Sequence, residues 1–153
     1  WNEAIDMLIR HLNLPTATWK DERCASMRFI ARCYKNLNRF EEAKMWLNKA
    51  INEAPYLRDP YVESALLYYQ LNDWNNVIKY CNDALKIEKH AKSYINETFS
   101  WDYTIYDLLS IAYFNLEKYD LSLEKVIKAV EMSPNDERLK NNKILIEKTL
   151  TDK

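Results

Sequence analysis

Apolar and small residues recur at helical spacing along most of this chain, in pairs of stripes separated by short polar turns. Met27, Ile30, Ala31 and Tyr34 fall on one face of a predicted helix, because positions three and four apart meet on the same side. A turn follows at Asn36–Arg39. A second stripe of Ala43, Leu47, Ala50 and Ile51 then predicts a helix from about Phe40 to Ala54. Pro55 ends that helix and Pro134 ends another, since proline cannot continue a helix and biases the preceding residue away from helical geometry.

The paired pattern repeats. Cys24–Tyr56, Arg58–Ala91 and Tyr103–Asp136 superpose with Tyr34, Tyr68 and Tyr113 in register. Leu37, Leu71 and Leu116 also coincide, as do the aromatic residues Phe40, Trp74 and Tyr119, and then Ala50, Ala84 and Ala129. The first two copies are offset by 34 residues and the third by 45 more, which marks an 11-residue insertion. Small residues at Ala31, Ala65 and Ser110 are expected where paired helices approach most closely. The Asn38 and Asn72 positions are expected to take the left-handed conformation of a helical hairpin, for which Asn is the usual second choice after Gly.

A period near 34 with aromatic, small residue, Tyr, Leu, turn, aromatic, Ala, Ala and Pro in that order resembles the tetratricopeptide repeat over about Cys24 to Asp136. Val77 and Lys89 in the second copy, and Ser122 in the third, depart from the usual Ala, Pro and Ala. The resemblance implies an all-α fold, a right-handed superhelical array of antiparallel helix pairs. One domain over 1–153 is expected, built from the second helix of a truncated repeat (1–15), repeat 1 (18–56), repeat 2 (58–91), the insertion (90–102), repeat 3 (103–136) and a polar capping helix (137–150). Thr18 is the expected cap of the helix after Pro15, and Asn135 or Asp136 that of the last helix. Trp1 stands already in a helical pattern, so the chain reads as a piece of a longer protein. Tyr94, Ile95, Phe99 and Trp101 give the insertion enough apolar surface to pack down or to mark a contact.

Composition narrows the chemistry. Glycine is absent, which removes phosphate-cradling loops, dinucleotide fingerprints and nucleophile elbows, because each needs a backbone that only Gly adopts. The net charge of −1 leaves no electrostatic footprint for nucleic acid, and no apolar run is long enough for membrane insertion. Cys24, Cys33 and Cys81 are an odd number with no Cys-x-x-Cys pair and read as buried hydrophobes of a reducing, cytoplasmic setting. Asn96-Glu97-Thr98 fits a glycosylation sequon, which matters only in a secretory context.

His11 and His90 have no ligand partners at metal spacing, and no cofactor is expected. The acidic pairs Asp21/Glu22, Glu41/Glu42 and Asp136/Glu137 sit in predicted first helical turns, where acids favour the helix dipole. No catalytic residue is assigned to this chain; the activity of any longer protein is left open.

Binding is the remaining function. In the family the first helices of successive repeats line a concave groove. By that resemblance the exposed groove positions are Arg28, Arg32, Lys35 and Asn36, then Glu63, Tyr69 and Gln70, then Asp107, Phe114 and Asn115. Arg28 and Arg32 lie four apart and suit a carboxylate, unless Glu63 and Asp107 already pair with them. The family's carboxylate clamp uses Lys and Asn where these arginines stand.

Longer segments, Leu14–Arg23, Ser26–Arg32, Glu53–Pro60 and Pro134–Arg138, are similar to the repeat region behind the catalytic domain of bacterial family-2-type glycosyltransferases. That resemblance implies a scaffold, positioning an acceptor such as a polypeptide, contacting its own missing catalytic domain, or mediating self-association. The alternative is a free-standing adaptor for a peptide or protein partner. A third expectation is a homodimer through the exposed edge of the N-terminal helix.

Overall fold

The computed structural model describes residues 1–92 and 95–152. Eight α-helices and no strands occur among the described residues: α1 Asn2–Leu12, α2 Lys20–Asn36, α3 Phe40–Glu53, α4 Asp59–Gln70, α5 Trp74–Leu85, α6 Thr104–Asn115, α7 Tyr119–Met132 and α8 Glu137–Thr151. Helices α2 and α3, α4 and α5, and α6 and α7 pack as hairpins, and the hairpins stack into a solenoid with α1 and α8 at its ends. The first helix of each hairpin also touches the first helix of the next, α2 with α4 and α4 with α6.

Each hairpin turn is closed by the same device. Asn38, Asn72 and Glu117 have φ of 58°, 55° and 59°, in the left-handed region. The following amides of Arg39, Asp73 and Lys118 donate to the carbonyls of Tyr34, Tyr68 and Tyr113, each at 2.9 Å. The left-handed residues' own amides donate to Lys35, Tyr69 and Phe114, completing the doubly bonded helix stop that satisfies orphan carbonyls.

The close-approach positions are buried as the spacing predicts. Ala31 packs with Ala43, Leu47 and Leu67, and Ala65 with Val77, Cys81 and Ala84. In the third hairpin both partners are serines. Ser110 Oγ donates to the Ser122 carbonyl at 2.9 Å and Ser122 Oγ to that of Ser110 at 2.8 Å, so buried hydroxyls replace Ala without being left unpaired.

Two expectations about helix starts come out differently. Asp136 caps α8 by accepting from Leu139 N–H, but Thr18 does not cap α2. Instead Thr18 N–H joins a tight turn by donating to Thr16, and α2 starts at Lys20 with no side-chain cap. The 13–18 stretch is held by Arg23, which donates to the Leu12 and Ala17 carbonyls and to Glu53. No helix among the described residues is long and apolar enough to cross a membrane.

Candidate functional site

The inserted segment, from its described residue Ile95 to Trp101, folds as a strap against the row of first helices. Its only regular element is the 3-10 turn Thr98–Ser100, which packs on α4 and α6; Tyr94 lies outside the described residues. Asp59, buried at the start of α4, anchors it. One of its carboxylate oxygens accepts the Glu97 N–H at 2.7 Å and the Ser100 hydroxyl at 2.8 Å. Phe99 packs into the core shared by α4, α5 and α6. Trp101 is faced by Arg58 at 3.7 Å and stacked on His90 at 4.2 Å, so Phe99 and Trp101 of the insertion pack down.

Under the strap lies a four-residue ionic cluster. Glu63 Oε1 accepts from Arg28 Nη1 at 3.2 Å, from Arg32 Nε at 2.6 Å and from Arg32 Nη2. Glu97 Oε1 accepts from the same two arginines, at 3.1 Å from Arg28 Nη1 and 2.7 Å from Arg32 Nη2. Arg28 Nη2 donates to the Ile95 carbonyl at 3.4 Å. Burial pushes the Glu63 carboxyl up, against the pull of the two guanidiniums. At Glu97 partial burial acts upward too, but hydrogen bonds from Arg32 and Arg28 outweigh it and hold the carboxyl below its usual range.

Three residues expected on the exposed groove surface are buried instead: Arg28 at 2% exposure, Glu63 at 7% and Asp107 at 9%. For Arg28 the physical reason is the strap, which covers a helix face that a bare repeat array would leave open. Asp107 is paired with Arg138 of the last helix at 2.6 Å. Arg32 and Lys35 are half-buried, while Asn36, Tyr69, Gln70 and Asn115 are exposed. Tyr69 and Phe114 lie edge-on to Trp74 and Tyr119 at the hairpin ends, away from the cluster. Glu97 is the residue that sequence reasoning missed. An acid in an insertion carries no periodic signal, and only its folding back onto α2 reveals it.

Beside the cluster opens a cavity of about 260 Å³. Ala31, Arg32 and Lys35 of α2 line it, with Ala43 and Leu47 of α3, Glu63, Leu66 and Leu67 of α4, and Glu97 and Phe99 of the strap. Its walls are thus mainly apolar with charges at one side, the usual make-up of a ligand site. The Lys35 ammonium makes no hydrogen bond or ion pair with any other described residue. No group of His, Cys, Asp and Glu among the described residues is placed to hold a metal ion.

This architecture has close structural relatives. The first repeat domain of Spaghetti (RPAP3) bound to the HSP90 peptide SRMEEVD superposes with a TM-score of 0.71 at 19% identity, covering 85% of this chain and 94% of that one. The fold is that of a tetratricopeptide-repeat domain. The N-terminal domain of stress-induced protein-1 from C. elegans matches this repeat fold with a TM-score of 0.72 at 14% identity, over 85% and 98% of the two chains. The second such domain of human RPAP3, in complex with the HSP70 peptide SGPTIEEVD, gives 0.68 at 12% identity over 84% and 98%. In sequence, residues 29–56 match the family described as tetratricopeptide repeat. No curated protein matches the chain.

Proposed function

We propose that the chain is a non-catalytic peptide-binding module whose groove takes an acidic chain end. The observation that carries this reading is the cavity between α2 and α4, where the uncommitted ammonium of Lys35 stands beside apolar walls of Leu47, Leu66, Leu67 and Phe99. A carboxylate paired with Lys35 and an aliphatic side chain against those walls would use both kinds of surface. The peptides bound by two of the structural relatives both end in Glu-Glu-Val-Asp, which joins those two chemistries. In this reading the repeats are 18–56, 58–91 and 103–136, and Arg32, Lys35 and Asn36 are the accessible contacts of the first. The three unpaired, buried cysteines agree with a reducing, cytoplasmic setting.

Fluorescence polarisation with labelled SRMEEVD, as free acid and as C-terminal amide, tests the site. Saturable binding is expected, weakened about tenfold both by amidation and by Lys35→Ala, the size of one charge-assisted hydrogen bond. Equal affinity for Lys35→Ala would place binding elsewhere. The second reading, a scaffold attached to a glycosyltransferase catalytic domain, rests on the sequence segments Leu14–Arg23, Ser26–Arg32, Glu53–Pro60 and Pro134–Arg138. None of the structures named above is such a region.

A further inference from the structure

The most basic part of the groove already holds a carboxylate, and that carboxylate is supplied by the chain itself. Arg28 and Arg32 converge on one oxygen of Glu97 from 69 and 65 residues away. Two guanidiniums holding one carboxylate is the arrangement expected for an acidic ligand. Resting on the peptide-groove reading, we infer that Glu97 is a built-in competitor, and that a ligand carboxylate enters by taking its place between Arg28 and Arg32.

Three observations make Glu97, rather than Glu63, the displaceable acid. Glu63 rides on α4 and its side chain is 6% exposed, whereas the Glu97 side chain stands at the rim at 29%. The strap is held by its backbone and by Ser100, since Asp59 binds the Glu97 N–H and the Ser100 hydroxyl. Rotation of the Glu97 side chain therefore leaves both Asp59 bonds to the strap in place. Finally, Glu97 and Arg32 both line the cavity that Lys35 enters, so the seat it leaves is continuous with the apolar pocket.

The consequence is a narrower class of ligand. With Glu97 in place, the cations of Arg28, Arg32 and Lys35 are opposed by two carboxylates. With Glu97 swung out, only Glu63 opposes them, and the arginines are left wanting an acceptor. A purely apolar segment gains nothing from that exchange, because it leaves guanidinium N–H groups unpaired. A carboxylate with an aliphatic neighbour refills the seat and also fills the pocket. Phe99, packed against the core, remains as a wall of that pocket. The strap thus sets a threshold that screens out weakly acidic or apolar segments.

Labelled SRMEEVD is titrated against wild type and Glu97→Gln. Gln keeps the shape but removes the charge that competes. The variant is expected to bind about tenfold more tightly, because a larger fraction of the groove is open. Equal or weaker binding by the variant, with wild type binding normally, overturns the competitor while leaving the groove reading intact. Absence of binding by both proteins overturns the groove reading and the competitor together.

A second measurement uses wild type alone and needs no variant to fold. Carbon NMR titration of the Glu97 side-chain carboxyl should find it below the ordinary carboxylate range in the free protein. With peptide bound it should return to the ordinary range as its arginine partners change hands. A Glu97 carboxyl whose titration is unmoved by peptide would overturn the displacement.

Discussion

One oxygen of Glu63 receives hydrogen bonds from Arg28 and Arg32, while the other oxygen, Oε2, is buried without a partner among the described residues, as is Arg28 Nε. The cluster is therefore neutralised but not fully satisfied, and an apolar replacement of the whole set would cost little. Removing one member is a different matter. Glu63→Ala leaves Arg28 buried with only Glu97 at the rim to balance it. It is expected to lower unfolding free energy by about 3 kcal/mol, read as a drop in urea midpoint at unchanged m. A loss below about 1 kcal/mol would mean that Glu97 alone suffices as partner. Burial is what sequence spacing could not supply here. Arg28 and Arg32 are recognisable in the sequence as one helical face with Glu63 as a candidate partner. The partner Glu97 lies in a segment whose path no periodicity constrains.

At the scale of the element, the three hairpin turns are built alike but filled unequally. Two use Asn at the left-handed position and the third uses Glu117. A non-Gly residue with a longer side chain is disfavoured there, because its Cβ crowds the adjacent carbonyl. Glu117→Gly should therefore stabilise the α6–α7 hairpin by about 1 kcal/mol, seen as a higher Tm with an unchanged helical spectrum. The same change at Asn38 should bring less, since Asn already tolerates this geometry. The left-handed Asn positions were legible in sequence, since a helical pattern broken at Leu-Asn before an aromatic residue demands such a turn. The start of α2 was not. Thr18 has the right chemistry for a cap, yet the Pro15 turn and the Arg23 bonds to the Leu12 and Ala17 carbonyls place it in the turn instead.

Over the whole molecule, each hairpin touches its neighbours in the stack, so damage at one end should spread only partly. Leu139 of α8 is fully buried against the end of the array. Leu139→Ala should cost about 3 kcal/mol of cavity and transfer energy. Amide hydrogen exchange should then rise most in α7 and α8 and least in α2 and α3. Uniform loss of protection would show the array to be a single cooperative unit. The strap argues for some coupling, because its bonds link α2 through Arg28, α4 through Asp59 and the α4–α6 core through Phe99.

The sequence by itself determined the stacked helix pairs. Their period, their small close-approach residues and their turn residues are local demands of helix geometry, and each recurs where the others require it. Only the tertiary structure decided which groove charges face solvent and which face one another. That outcome depends on where the insertion lands, and its landing is set by a buried Asp59, a seated Phe99 and a carboxylate meeting two arginines far away in the chain. Such contacts are long-range and singular, so no repeat in the sequence announces them.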